Sequence, residues 1–218
     1  MEWKYREDNM AASFLREQYE DSLDRLLATR RIALEQLREA YTKQIIADPD
    51  AAREDFVKML GWPLTEYVPE QPLQVRSTML HETEELQIFR VQLEIWKDFW
   101  FGGLLFLHPD GAQRPFVLAQ HGGAGTPELC SGLLEMGSVN YNDMSHRLFE
   151  MGANVFASQL YLWRGDLFGL RPDQTDAIQR KEMDVSLKNV GGSMIAVELT
   201  CLRRVLDYFE AGLCGLCG

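Results

Sequence analysis

The chain has 218 residues, of which 46% are hydrophobic and 25% charged, the balance of a soluble globular protein with room for one good core and a smaller appendage. Its 22 basic and 33 acidic residues leave a net charge of −11. That balance excludes a nucleic-acid backbone as partner, because such sites need a basic stripe. No apolar run approaches the roughly 20 residues that cross a bilayer. Met1 to Arg16 is charged and lacks the apolar core of an export signal, so the expected location is the cytoplasm. Four cysteines in a chain of this length do not make a disulfide framework.

Residues 10 to 47 predict a helix. Tyr19, Leu23, Leu26, Leu34, Leu37, Tyr41 and Ile45 recur at helical steps and form one stripe, interrupted by Arg30. Asp48 and Pro49 read as the cap and first turn of a second helix. Phe56, Val57 and Leu60 are its apolar side, and Gly61 and Pro63 stop it. A connector from Trp62 to Leu73 closes this helical region, taken as residues 1–72.

The pattern then changes. Phe89, Val91, Leu93 and Ile95 alternate with polar residues, the period of a half-buried strand. Phe99 to Leu107 is a second apolar run, and His108-Pro109-Asp110-Gly111 is a turn. Pro115 to Gln120 predicts a strand covered on both faces. It runs directly into His121-Gly122-Gly123-Ala124-Gly125. A helix around Asp143 to Met151 closes at Gly152, and Asn154 to Leu162 predicts another buried strand. Trp163 to Val190 is polar and reads as loop with a little helix. The last element starts near Ser193, a plausible N-cap, with Ile195, Leu199, Leu202, Leu206 and Phe209 as its stripe. Strands that alternate with helices imply an α/β fold with a mostly parallel, helix-covered sheet.

This order, with Phe116 to Gly125 as its sharpest motif, resembles the α/β-hydrolase superfamily, in particular its bacterial esterases of the acetyl-xylan-esterase and dienelactone-hydrolase kind. The resemblance covers roughly residues 73 to 210. It implies an incomplete α/β-hydrolase domain over residues 73–218, with residues 1–72 as an accessory helical region. In the superfamily a buried strand runs into a His-Gly-Gly loop that supplies part of an oxyanion hole. Backbone N–H groups aimed at a developing oxyanion stabilise it, and glycines let the backbone come close. The resemblance makes the N–H of Gly122, Gly123 or Ala124 the oxyanion donor, with the three left open, and His121 a loop-shaping residue. It places Trp163, Arg164 and Asp166 on a substrate-side loop, although an Arg–Asp pair holding a surface turn suits Arg164 and Asp166 as well.

The nucleophile elbow, G-x-S-x-G, is missing. Gly191-Gly192-Ser193-Met194-Ile195 has isoleucine where the last glycine belongs, and the residues before it are too polar for a central strand. Ser193 therefore reads as a helix cap. Gly215-Leu216-Cys217-Gly218 resembles the start of a cysteine elbow but has no strand before it. Ser193 and Cys217 are the weak nucleophile candidates. Cys130 and Cys201 read as structural, and Cys214 with Cys217 makes a single C-x-x-C, half of what a zinc site needs. No histidine follows His146, while His81 and His108 precede the sheet motif or sit in a turn. A serine, acid and histidine in superfamily order cannot be assembled, and a serine without a base stays a weak nucleophile. No metal or cofactor is expected.

Two functions follow as expectations. One is the front portion of a carboxylic-ester hydrolase acting on a small-molecule ester, inactive without the segment that carries the nucleophile. The glycine- and cysteine-rich last eight residues fit a frame or annotation artefact. The other is a non-catalytic protein that works through its N-terminal helices. Self-association through an open sheet edge or those helices is expected in either case.

Overall fold

The computed structural model describes residues 10–122, 125–134, 141–161 and 176–212. The chain divides into two compact units, Met1–Phe56 and Val57–Gly218. The expected boundary at residue 72 falls inside the second unit.

In the first unit, α1 runs as one helix over Met10–Ala47. Asp48 caps the next helix: its Oδ1 accepts the Ala51 N–H at 3.0 Å. That helix, α2, spans Pro49–Leu60 with proline in its first position. The stripe of α1 is fully formed and lies in solvent, since Tyr19, Leu23, Leu26, Leu34, Leu37, Tyr41 and Ile45 are all exposed.

The second unit opens with the last turn of α2, which ends where Gly61 adopts φ +79°, the left-handed conformation. A short 3-10 turn over Leu64–Glu66 follows. Leu60 and Leu64 pack on Ala196, so this connector belongs with the sheet unit. Five strands come next in the chain: β1 Val75–Glu82, β2 Gln87–Trp96, β3 Phe99–Leu107, β4 Phe116–Gln120 and β5 Asn154–Ser158. They lie in the order β1-β2-β3-β5-β4. Helices α3 Pro127–Cys130 and α4 Met144–Glu150 stand between β4 and β5, and α5 Asp176–Lys188 and α6 Met194–Glu210 follow β5.

The sheet corrects the expectation of a mostly parallel arrangement. The β1–β2, β2–β3 and β3–β5 pairs are antiparallel, and only β4–β5 is parallel. Link length is the cause in the first two pairs. Lys97 and Asp98 alone join β2 to β3, with Asp98 at φ +65°, and residues 83–86 alone join β1 to β2. Links this short can only reverse the chain, whereas a parallel return needs a crossover of a dozen or more residues. The segment between β4 and β5 has that length and carries α3 and α4.

The alternation read in β2 places Phe89, Val91, Leu93 and Ile95 in one core, where they meet Phe156 of β5 and Cys201, Leu202, Val205 and Phe209 of α6. The opposite face holds Ile88, Leu104, Phe106, Val155 and Ala157 under Phe149 of α4. A helix therefore covers each face of the central strands, and the fold is α/β with a five-stranded mixed sheet. Two further corrections concern helices. The polar stretch after residue 162 contains a full helix, α5, whose 13 residues carry Arg180 and Asp184. Of the expected α6 stripe, Leu202 and Phe209 are buried and Leu199 is partly buried, while Ile195 and Leu206 are exposed; Met194, Cys201 and Val205 complete the buried side.

Candidate functional site

The parallel β4–β5 pair sets the site. Gln120 pairs with Ser158, so the segments leaving the two strands emerge side by side at their carboxyl ends. In open α/β sheets, that is where ligands bind. His121 leaves β4 and Gln159 leaves β5.

His121 is buried, 2% exposed, and its ring ties the two exits together. Nε2 accepts the Leu160 N–H at 3.0 Å, and Nδ1 lies 2.9 Å from the Gly122 carbonyl. One tautomer satisfies both contacts: Nδ1 carries the proton and donates to Gly122, while Nε2 is the acceptor. The Gln159 side chain donates to the Leu160 carbonyl at 2.8 Å. Burial holds the His121 pKa below its usual 6.5, against smaller opposing effects from the Gly122 contact and from Glu198 and Glu128. The ring is neutral in this setting, and both of its nitrogens are engaged with backbone.

The Gly122 carbonyl also accepts the Gly125 N–H at 3.2 Å. The Gly122 N–H donates to the Tyr141 hydroxyl at 3.0 Å. Burial raises the Tyr141 pKa, partly offset by the N–H it receives from Gly122. Gly125 is required by close approach, since a Cβ there would lie 2.5 Å from the Tyr141 oxygen and 2.6 Å from the His121 Cβ. The loop then enters α3, where Thr126 Oγ1 accepts the Leu129 N–H at 3.2 Å. Glu128 pairs with Arg90 of β2 at 3.2 Å, fixing α3 to the sheet.

Beside this hub lies a cavity of about 390 Å³ walled mainly by apolar side chains. Phe99, Leu160, Met183, Val197 and Cys201 line it, with Gln159 and Glu198 as its polar members. Its size and lining suit a small organic ligand. Gln159 and Leu160 belong both to this wall and to the His121 hub. Glu198 is buried and clamped by Arg180, whose two terminal nitrogens reach its two oxygens at 2.7 and 2.8 Å. The Tyr161 N–H adds a longer contact at 3.4 Å. The Glu198 hydrogen bonds raise the Arg180 pKa, so the guanidinium stays charged.

The remaining sequence candidates separate from this hub. Ser193 caps α6: its Oγ accepts the Ala196 N–H at 3.1 Å and donates to the Leu60 carbonyl at 2.7 Å. Gly123, Ala124, Trp163, Arg164, Asp166, Cys214 and Cys217 lie outside the described residues. Burial pushes the Cys130 thiol up to about 11, with Glu128 adding to it, and the Cys201 thiol up to about 12, with Glu198 adding to it. Both thiols are poor nucleophiles near neutral pH. His108 stacks on Phe149 with 3.9 Å between ring centres, and exposed His146 sits 3.1 Å from Glu150. Among the described residues, no group of His, Cys, Asp and Glu is placed to hold a metal ion. No helix among the described residues is long and apolar enough to cross a membrane.

Sequence reasoning missed Tyr141, Gln159 and the Arg180–Glu198 clamp. Each is a polar residue in an unremarkable stretch, and only the crossover from β4 to β5 and the packing of α5 on α6 bring them to the site. No motif spacing could have found them.

No family model matches the sequence, and no curated protein is similar to it. In structure the chain is similar to a Bacteroides fragilis crystal structure described as a "putative acetyl xylan esterase", with a TM-score of 0.55 and 10% sequence identity. The match covers 74% of this chain and 41% of that one. At this identity the likeness speaks to fold, and the scaffold is shared with an esterase-like protein more than twice as long as the region matched.

Proposed function

We propose that this chain is the oxyanion-loop portion of an α/β-hydrolase-type carboxylic-ester hydrolase, acetyl-esterase-like, whose nucleophile, acid and base lie in polypeptide outside it. The observation that carries the reading is the His121–Gly122 turn at the carboxyl end of β4. There a neutral buried imidazole shapes the loop and a backbone N–H points to a hydroxyl oxygen. An oxygen accepting from Gly122 is the contact an oxyanion would make, and in this reading the Tyr141 hydroxyl holds that place until substrate displaces it. The amides of Gly123 and Ala124 are the other proposed donors, and Trp163, Arg164 and Asp166 the proposed substrate-side loop. β4 ends the strand order, so a further parallel strand added there would bring its own carboxyl end beside His121. That strand is the natural carrier of a nucleophile elbow. The likeness to the esterase-like structure supports the scaffold.

The test is hydrolysis of p-nitrophenyl acetate. The chain alone is expected to leave the ester at its buffer rate. Joined to the polypeptide encoded beyond Gly218, provided that segment carries a strand and G-x-S-x-G, it is expected to turn the ester over. Turnover by the chain alone that survives Ser193→Ala with Cys217→Ala, and is lost when another residue is replaced, would overturn this assignment.

A second reading, a non-catalytic protein that works through its N-terminal helices, is favoured by one observation: the apolar stripe of α1 lies in solvent.

A further inference from the structure

The stripe of α1 has an internal symmetry. Leu15, Tyr19, Leu23 and Leu26 precede Arg30, and Leu34, Leu37, Tyr41 and Ile45 follow it, at steps of four, four, three, four, four, three, four and four. At 3.6 residues per turn, all eight lie within about 60° of the direction of Arg30. This is an 11-residue repeat, close enough to the helix's own period that the stripe stays on one side of a nearly straight rod. All eight are between 43% and 71% exposed. The spacing reads the same from either end. Leu15 and Ile45, Tyr19 and Tyr41, Leu23 and Leu37, and Leu26 and Leu34 are each equidistant from Arg30.

We propose that α1 is an antiparallel pairing seam for a second copy of this chain, with the two-fold axis at Arg30. Such an axis sets tyrosine against tyrosine and leucine against leucine or isoleucine along the whole stripe. Charge selects the same direction. Met10 to Asp24 carries one basic and four acidic residues, a balance of −3, and Arg25 to Ala47 carries five basic and two acidic, a balance of +3. A parallel pair stacks like halves on like, whereas the antiparallel pair opposes them. One flank of the stripe holds Glu20, Asp24 and Arg38, with Arg31 among them close to the axis. The two-fold axis brings that flank beside the same flank of the second copy, with Arg38 midway in height between the partner's two carboxylates.

Within one copy Glu20 pairs with Arg16 at 3.0 Å and Arg38 with Glu35 at 2.9 Å, all four strongly exposed. Exposed pairs of this kind are worth about 0–1 kcal/mol, so exchanging partners costs little. Arg30 meets its own copy at the axis. Its stem can lie along the leucines with the head in water, which weakens the pair while fixing its register. The seam names a partner for the helix-mediated reading and rests on it. It is independent of the ester chemistry proposed at β4.

The experiment is the mass of the full chain in solution, by sedimentation velocity over roughly 5–200 µM. The expected mass rises with concentration from 25.0 kDa toward twice that value. Leu26→Glu with Leu34→Glu should weaken association by at least about tenfold, as should Glu20→Arg with Asp24→Arg, or Arg38→Glu alone. Combining Glu20→Arg, Asp24→Arg and Arg38→Glu should restore it to within about twofold, which a parallel seam would not do. Far-UV circular dichroism should show each variant folded, because every substituted side chain is exposed. A chain that stays monomeric over this range overturns the second-copy seam. So does a dimer indifferent to the leucine substitutions, or a triple charge variant that fails to recover.

Discussion

Helices α1 and α6 carry the same kind of message in sequence and meet opposite fates. Both repeat apolar residues at three- and four-residue steps. In α6, Cys201, Val205 and Phe209 are closed under Phe156 and Leu93 of the sheet, while in α1 every large stripe residue faces water. Periodicity states that a helix has an apolar side. It does not state whether a partner covers that side, because the cover comes from elsewhere in the chain or from another chain. Burial, not pattern, decides what a substitution costs.

The widest separation between the two helices should appear on truncation of matched apolar residues. Phe156 is fully buried beneath Phe209, and Phe156→Ala should lower the unfolding free energy by about 3–5 kcal/mol. Leu26→Ala, at a position 64% exposed, should change it by no more than about 0.5 kcal/mol in dilute, monomeric protein. Urea unfolding followed by tryptophan fluorescence, with Trp62, Trp96 and Trp100 in the sheet unit, reports the first, and far-UV circular dichroism, which also follows α1, reports the second. Equal costs at the two positions would mean that the α1 stripe is covered in the monomer.

A smaller effect sharpens the contrast at the β4 exit. His121 is held neutral, with its pKa below 6.5, because burial disfavours the imidazolium. The unfolded chain binds that proton as pH falls through about 6.5, while the folded chain resists it, so folding should weaken from there down to the lowered folded pKa. Asp110 and Asp184, with pKa values held below 3.8 by Arg114 and Lys188 respectively, act only in a more acid window. His121→Leu should cost about 1–3 kcal/mol near neutral pH, because the Leu160 N–H loses its acceptor, and should flatten the dependence near pH 6. Urea midpoints at two pH values on either side of 6.5 measure it. A slope that persists in His121→Leu would assign the titration to another group.

What the sequence made legible follows from the same distinction. The β2 alternation, the Asp48 and Ser193 caps and the α4 stop at Gly152 are local signals, and each holds in the structure. β1 escaped because it is an edge strand with exposed residues on both faces, so no alternation marks it. The orientation of the sheet was misread because link lengths, rather than strand character, decide it. In α6 the stripe holds at Leu199, Leu202 and Phe209 and misses at Ile195 and Leu206, because the buried side also includes Glu198, Thr200 and Arg204, which a hydropathy reading assigns to solvent. Arg204 stays inside by reaching Glu70, and Glu198 by reaching Arg180, two partners distant in sequence. At the site, the His-Gly-Gly loop was legible as a motif, while the residues that hold it, Tyr141, Leu160 and Gln159, come from packing alone.

Ser193 gives a smaller expected loss than His121 and the cleanest separation between a nucleophile and a cap. Its hydroxyl accepts from Ala196 and donates to Leu60, so both functions of the oxygen are taken up in joining the start of α6 to the end of α2. Attack on an ester would require it to abandon that cap, and none of its contacts is a base. Ser193→Ala should therefore cost about 1 kcal/mol of stability and leave ester hydrolysis at its starting rate. Ser193→Thr, which keeps both the acceptor and the donor, should recover most of the loss. Ser193→Asp keeps only the acceptor and should recover less, because the Leu60 carbonyl then faces a carboxylate. If instead Ser193→Thr and Ser193→Ala were equally stable but differed in esterase rate, the hydroxyl would be acting on substrate rather than on the helix.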